Sequence, residues 1–141
     1  MKKYMIVLLV LAIACAFSVS TVMAADLEKY DFDGKFSMEM EKGLDFQKST
    51  SQEGYVTFMD AAKGYAVMYY ADPILKADYA DQFYTGFESE GYKEVGSDGD
   101  IKVFEKDGFY VASKYKEGIV VFSLNVDKDK ALDSMKTIEF A

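Results

Sequence analysis

Histidine is absent from the 141-residue chain, and Cys15 is its one cysteine. Ser-His-Asp and Cys-His nucleophiles, ordinary zinc sites and haem ligation all draw on imidazole or thiolate, so most familiar reaction centres are removed. Carboxylates, lysine, serine and tyrosine are left. Ser113-Lys114-Tyr115-Lys116 has a Ser-x-x-Lys spacing, which works at a helix start where both side chains share a face. On a strand, positions three apart point to opposite faces, so the spacing carries no chemistry here. Asn125, Asp127 and Asp129 alternate like the first ligands of a calcium loop. Lys130 stands where that loop needs glycine, however, and Lys136 where it needs a bidentate glutamate. A helix cap followed by solvated charge explains the three. Asp31-Phe32-Asp33-Gly34 has only the opening of such a loop, and Asp98 and Asp100 flank Gly99 as turn residues do. A glycosidase-like pair of acids needs only to meet in space, and no spacing points to one. No catalytic residue, metal ligand or cofactor is expected.

Tyrosine is the remaining candidate, with 11 in the chain. Tyr70, Tyr110 and Tyr115 fall on predicted strands and form the candidate binding surface. Phenol rings offer flat apolar area with a polar tip, which suits a peptide, a partner protein or a sugar. The competing reading is inward packing, with hydroxyls at the edge. The absence of tryptophan counts against the sugar version.

These residues need elements to position them. Asp72 to Gly91 has a helical period, and Leu75, Tyr79, Ala80, Phe83, Tyr84 and Phe87 fall on one apolar arc. Asp72 is expected to cap this helix, Pro73 to take its first position and Gly91 to end it in a left-handed conformation. Gly86 lies inside the apolar arc, where close approach to strands is its expected use. Glycines recur about every ten residues on both sides of the helix, the spacing of short antiparallel strands. Alternation places strands at Phe36–Glu41, Leu44–Gln47 and Tyr55–Met59, with a polar loop at 48–53. Tyr65–Tyr70 and Ile119–Val126 are apolar on both faces and belong at the centre of a sheet. Tyr92–Val95, Ile101–Glu105 and Phe109–Tyr115 supply three more strands, with hairpin turns at Lys106-Asp107-Gly108 and Lys116-Glu117-Gly118. Asp127 caps a second, shorter helix lined by Ala131, Leu132, Met135 and Ile138, and Phe140 tucks in after it. The expected class is α+β, an antiparallel sheet of seven to eight strands with one long and one short helix, in the order ββββ-α-ββββ-α.

Two stretches carry a family resemblance. Phe36-Ser37-Met38-Glu39-Met40-Glu41-Lys42-Gly43-Leu44 has the rhythm of an opening strand and turn, without the Pro and Trp of the family pattern. Ala131-Leu132-Asp133-Ser134-Met135-Lys136-Thr137-Ile138-Glu139-Phe140 resembles a closing helix that runs into a Ser-x-x-x-Phe strand. With the element order, these resemble the PsbP-like fold, shared by the yeast Ran-release factor and various bacterial secreted proteins. The resemblance implies an antiparallel sheet sandwiched by helices. Photosystem and Ran functions do not follow, because no binding residue of either has a counterpart here.

The N-terminus reads as an address. Lys2 and Lys3 precede an unbroken apolar run from Met5 to Phe17, and Val22-Met23-Ala24 fits a cleavage site before Ala25. Residues 1–24 are therefore expected to be a signal peptide, residues 25–34 an acidic arm, and residues 35–141 a single domain. A retained membrane anchor and a lipidated Cys15 are the alternatives, although the residues after Cys15 continue the apolar pattern where a polar tether would stand. The chain has 24 acids against 16 cations, all of them lysine. Loss of Lys2 and Lys3 would leave 14 cations, a net charge of -10 that disfavours nucleic acid and anionic lipid as partners. The expected function is a secreted or cell-surface, non-catalytic domain that binds a protein partner or small ligand. The alternatives are a carboxylate-dependent hydrolase of an extracellular substrate and a membrane-tethered structural protein.

Overall fold

A computed structural model describes residues 27–52 and 54–141. The expected signal segment and Cys15 lie outside the described residues. Ten strands and two helices follow in the order β1 (Leu27–Phe32), β2 (Phe36–Glu41), β3 (Gln47–Thr50), β4 (Val56–Asp60), β5 (Tyr65–Ala71), α1 (Ala77–Ser89), β6 (Lys93–Asp98), β7 (Ile101–Lys106), β8 (Phe109–Lys116), β9 (Ile119–Asn125), α2 (Lys128–Lys136) and β10 (Glu139–Phe140). Seven strands form one antiparallel sheet in the order β3-β4-β5-β9-β8-β7-β6, and β1-β2-β10 form a smaller one. The expected α+β class and element order hold, and the smaller sheet is the addition.

The two runs apolar on both faces pair at the centre. Met68 of β5 stands opposite Phe122 of β9, and Tyr69 stands opposite Val121. All seven residues of β9 are buried. One face of the large sheet is covered by α1, with Phe83, Phe87, Phe104 and Phe122 fully buried between them. Phe83 and Phe87 meet Phe122 edge-on, with centroids 5.6 and 5.8 Å away. The other face is covered by α2 and by the small sheet, which seats Phe32 and Phe36 on Phe58 and Tyr69 at 5.0 and 5.5 Å.

Helix α1 is shorter than its periodicity predicts. Asp72 caps a turn rather than the helix: its carboxylate accepts from the Ile74 N–H at 3.1 Å, and its carbonyl accepts from the Leu75 N–H at 2.9 Å. The Leu75 carbonyl is taken by the Gly118 N–H and the Tyr115 hydroxyl, so this segment docks on the β8–β9 turn and the helix begins at Ala77. Its far end is as expected. Gly91 has φ +96, its N–H bonds the Glu88 carbonyl, and the Tyr92 N–H bonds the Phe87 carbonyl. That pair of bonds is a Schellman motif, which only a left-handed residue at this position allows.

Three strand boundaries also move. The acidic lead-in, expected as a solvated arm, is strand β1, paired with β2 from Leu27–Glu41 to Phe32–Phe36. Its outward Lys29 and Asp31 look to water, while Phe32 is buried on the other face. The strand expected at Leu44–Gln47 lies later, at Gln47–Thr50, inside the expected loop. It is an edge strand exposed along its whole length, so it shows no alternation, and Leu44 and Phe46 instead pack from a loop against the second core. Strand β6 is longer than expected and carries a bulge between Glu94 and Gly96. Asp107 and Gly108, at φ 52 and φ 81, form the two-residue turn with both residues left-handed that suits strand twist. Asp127 caps α2 as expected, accepting from the Asp129 and Lys130 N–H groups, while Ala131 and Met135 are buried. Phe140 tucks against Phe36 from β10.

Candidate functional site

The three candidate tyrosines do not converge. Tyr70 is buried under α1, its ring 5.1 Å from that of Tyr55. Tyr115 lies on the same face, two strands away, because Val120 pairs with both residues. Its hydroxyl donates to the Leu75 carbonyl at 2.8 Å, holding the turn that precedes α1. Tyr110 is half-buried on the opposite face, against the second core. Two of the three therefore pack inside the α1 layer, and together they form no single surface. The Ser-x-x-Lys pair is split in the same way. Ser113 is buried at 3.2 Å from the Tyr84 hydroxyl, whereas the Lys116 ammonium lies over the Phe140 ring on the other face.

Several of the polar groups singled out by spacing have structural partners. The Asn125 side-chain oxygen accepts from the Asp127 N–H, and Asp127 in turn caps α2. Asp31 accepts from the Gly34 N–H, and Asp98 pairs with Lys136 at 3.2 Å. Among the described residues, no three acidic side chains are grouped to hold a metal ion.

Concave surface lies where the β1–β2 turn meets the β8–β9 turn. One open cleft of about 260 Å³ is bounded by Gly34, Lys35, Ala71, Glu117 and Ile119. A second, of about 180 Å³, adjoins it along Gly34 and Ala141 and is bounded by Asp31, Ser37, Glu139 and Phe140. Both fall below the volume that encloses a drug-sized ligand. Asp31 and Glu139 face the smaller cleft, but Glu139 is exposed and bound to Lys29 at 3.1 Å.

Beside the clefts, Asp33 ties the small sheet to the large one. Its carboxylate accepts from the Lys48 ammonium at 2.9 Å and the Tyr69 hydroxyl at 2.5 Å. The Lys48 bond, and then the Tyr69 bond, hold this carboxyl below its usual range. Burial, and then the Asp33 bond, push the Tyr69 phenol well above its ordinary value. Asp33 occupies a left-handed position, φ 56, that asparagine also tolerates. Asp33→Asn should therefore keep the turn and lose about 1 kcal/mol at neutral pH, since Lys48 is half-exposed. The folded carboxyl titrates below its unfolded value of 3.8. Its contribution is complete above that value and is lost as pH falls through the folded one. Urea unfolding at about pH 7 and about pH 2 should show the gap between wild type and variant closing in acid. An equal gap at both would mean the charge of Asp33 is not what stabilises the seam.

At the opposite end of the sheet, a polar row crosses the strands on the α2 face. Tyr65 faces Asp60 on one side and Asn125 on the other, and Asn125 also faces Tyr110, which faces Glu105. The Tyr65 phenol is pushed up to about 12, chiefly by burial and then by the Glu41 and Asp127 carboxylates. Glu41, at the end of β2, is itself buried. Sequence reading missed this row because strand pairing, not spacing, brings its members together.

Fold and surface together define an α+β sandwich whose large sheet is covered on both faces. Among solved structures the chain is similar to the solution structure of cyanobacterial PsbP from Synechocystis sp. PCC 6803, with a TM-score of 0.46 and 15% identity. The match covers 88% of this chain and 98% of that one. No family model matches the chain, and no curated protein matches it.

Proposed function

We propose that this protein is a secreted or cell-surface, non-catalytic domain that binds a protein partner or a small ligand at its surface. The observation behind this reading is the closure of both faces of the large sheet, by α1 on one and by α2 with the small sheet on the other. Among the clefts bounded by described residues, the two at the β1–β2 turn are small and open. Such surface suits a protruding loop or a small polar molecule better than a substrate that must be shielded from water. The basic start, apolar run and Val22-Met23-Ala24 site support export.

Asp31 and Glu139 at the smaller cleft are the one observation on the side of a carboxylate hydrolase. Two measurements separate the readings. Mass spectrometry of the protein from its natural host should find it in the extracytoplasmic fraction and beginning at Ala25. A chain that keeps residues 1–24 in the membrane fraction would replace export with tethering. Purified protein should leave chromogenic glycosides and esters intact. Hydrolysis that disappears in an Asp31→Asn, Glu139→Gln double variant would overturn the non-catalytic reading.

A further inference from the structure

The end of the sheet opposite the clefts holds one buried donor without a partner and two further polar groups near it. Asn125 is 3% exposed, and its Nδ2 is buried with no hydrogen-bond partner. The orientation of this amide is fixed, because its Oδ1 accepts from the Asp127 N–H at 2.9 Å. Directly across the β5–β9 pairing stands Tyr65, 5% exposed, whose ring lies 5.8 Å from the Lys130 ammonium. Its hydroxyl makes no hydrogen bond among the described residues. Glu41 is the third group. The residue is buried, and its carboxylate meets the Lys63 ammonium at 3.8 Å, too far for a hydrogen bond. An unmade hydrogen bond on a buried amide such as that of Asn125 is costly, and native structures leave few of them without a use.

The three groups differ in kind, and the difference selects a ligand. Asn125 offers a donor, Glu41 an acceptor, and the Tyr65 hydroxyl can be either. Among the charges nearby, Lys63 and Lys130 stand against Glu41, Asp127 and the buried Asp60 that faces Tyr65, so an anionic ligand gains little to offset its desolvation. A carboxylate would bring no donor for Glu41, and an ammonium no acceptor for Asn125. A carboxamide carries both in one plane.

We propose that Glu41, Tyr65 and Asn125 form a binding site for a neutral carboxamide group. Its carbonyl accepts from Asn125 Nδ2, its N–H donates to the Glu41 carboxylate, and the Tyr65 hydroxyl closes the set. Lys63 and Val126 stand exposed at the rim. The inference rests on the reading of this protein as a binding domain but not on the clefts, so variants at Asp31 and Glu139 should leave it untouched.

The test is a titration followed by NMR of the Asn125 side-chain amide and the Tyr65 ring. Acetamide should shift both saturably, N,N-dimethylacetamide and acetate much less, because neither can donate to Glu41. Asn125→Ala should weaken acetamide binding about tenfold or more, and Tyr65→Phe and Glu41→Gln several-fold. These two carry the test if Asn125→Ala does not fold. A blocked Ala-Asn-Ala tripeptide that binds more tightly than both acetamide and blocked Ala-Ala-Ala assigns the ligand to a peptide side chain. Binding equal to that of acetamide assigns it to a free small amide. Absence of any saturable shift would overturn the proposal and leave Nδ2 merely solvated or resting on a tyrosine ring. Equal shifts with dimethylacetamide or acetate, or an Asn125 variant that binds unchanged, would overturn it too.

Discussion

Replacing Phe83 with alanine should lower the unfolding free energy by about 3–5 kcal/mol. The ring is 0% exposed and stands where α1 meets the middle of the large sheet, 5.6 Å from Phe122 and 6.1 Å from Tyr55. Its removal takes away the transfer free energy of a buried phenyl group. It also leaves a cavity that the β5–β9 centre cannot collapse into, because that pair is held on its other face by the second core. Small domains have only about 5–15 kcal/mol in total, so the variant should be near the limit of folding at physiological temperature. Urea denaturation followed by circular dichroism measures the loss. A loss under about 1 kcal/mol would show that α1 is not anchored through Phe83.

Gly86→Leu should cost about 1–3 kcal/mol, in spite of the better helix propensity of leucine. Gly86 is buried on the inner face of α1, beside Phe83 and Phe87, and this is the face its place in the apolar arc predicts. A leucine there has to lift the helix from the strands or displace the rings. Gly86→Ala measures the gap: a gain of about 1 kcal/mol would mean that a methyl group fits and propensity alone decides. Unchanged stability in Gly86→Leu would mean that the inner face has room to spare and that glycine serves no close approach.

The central pair β5–β9, the Gly91 end of α1, the Asp127 cap of α2 and the two-residue turn at Asp107-Gly108 were legible because each depends on local chemistry or on strong burial. Asp72 shows the limit. Its sequence is a good helix cap, but the Leu75 carbonyl finds better partners in Tyr115 and Gly118, 40 and 43 residues away, and the helix yields its first turn. Strand β3 was hidden for the opposite reason: an edge strand exposed on both faces has no pattern to read. Strand β1 shows mostly polar residues in sequence, and its pairing with β2 lies beyond what composition records. The candidate tyrosines were chosen from residue type on predicted strands, and strand parity then sent Tyr110 to one face and Tyr70 and Tyr115 to the other. The polar row around Asn125 depends on register across four strand pairings, information that no single segment carries.

The element order looks like two similar halves, yet the sheet joins them where neither can stand alone. The first half ends on β5 and the second on β9, and each is the other's innermost neighbour. The small sheet repeats the arrangement, because β2 from the first half takes β10 from the second as a partner. A chain cut between α1 and β6 would leave two pieces, each with a hydrophobic strand edge open to water and half a roof. Such pieces should aggregate alone and fold when mixed. Because the contacts that close both layers join distant parts of the chain, folding should be a single slow event rather than the docking of two finished units.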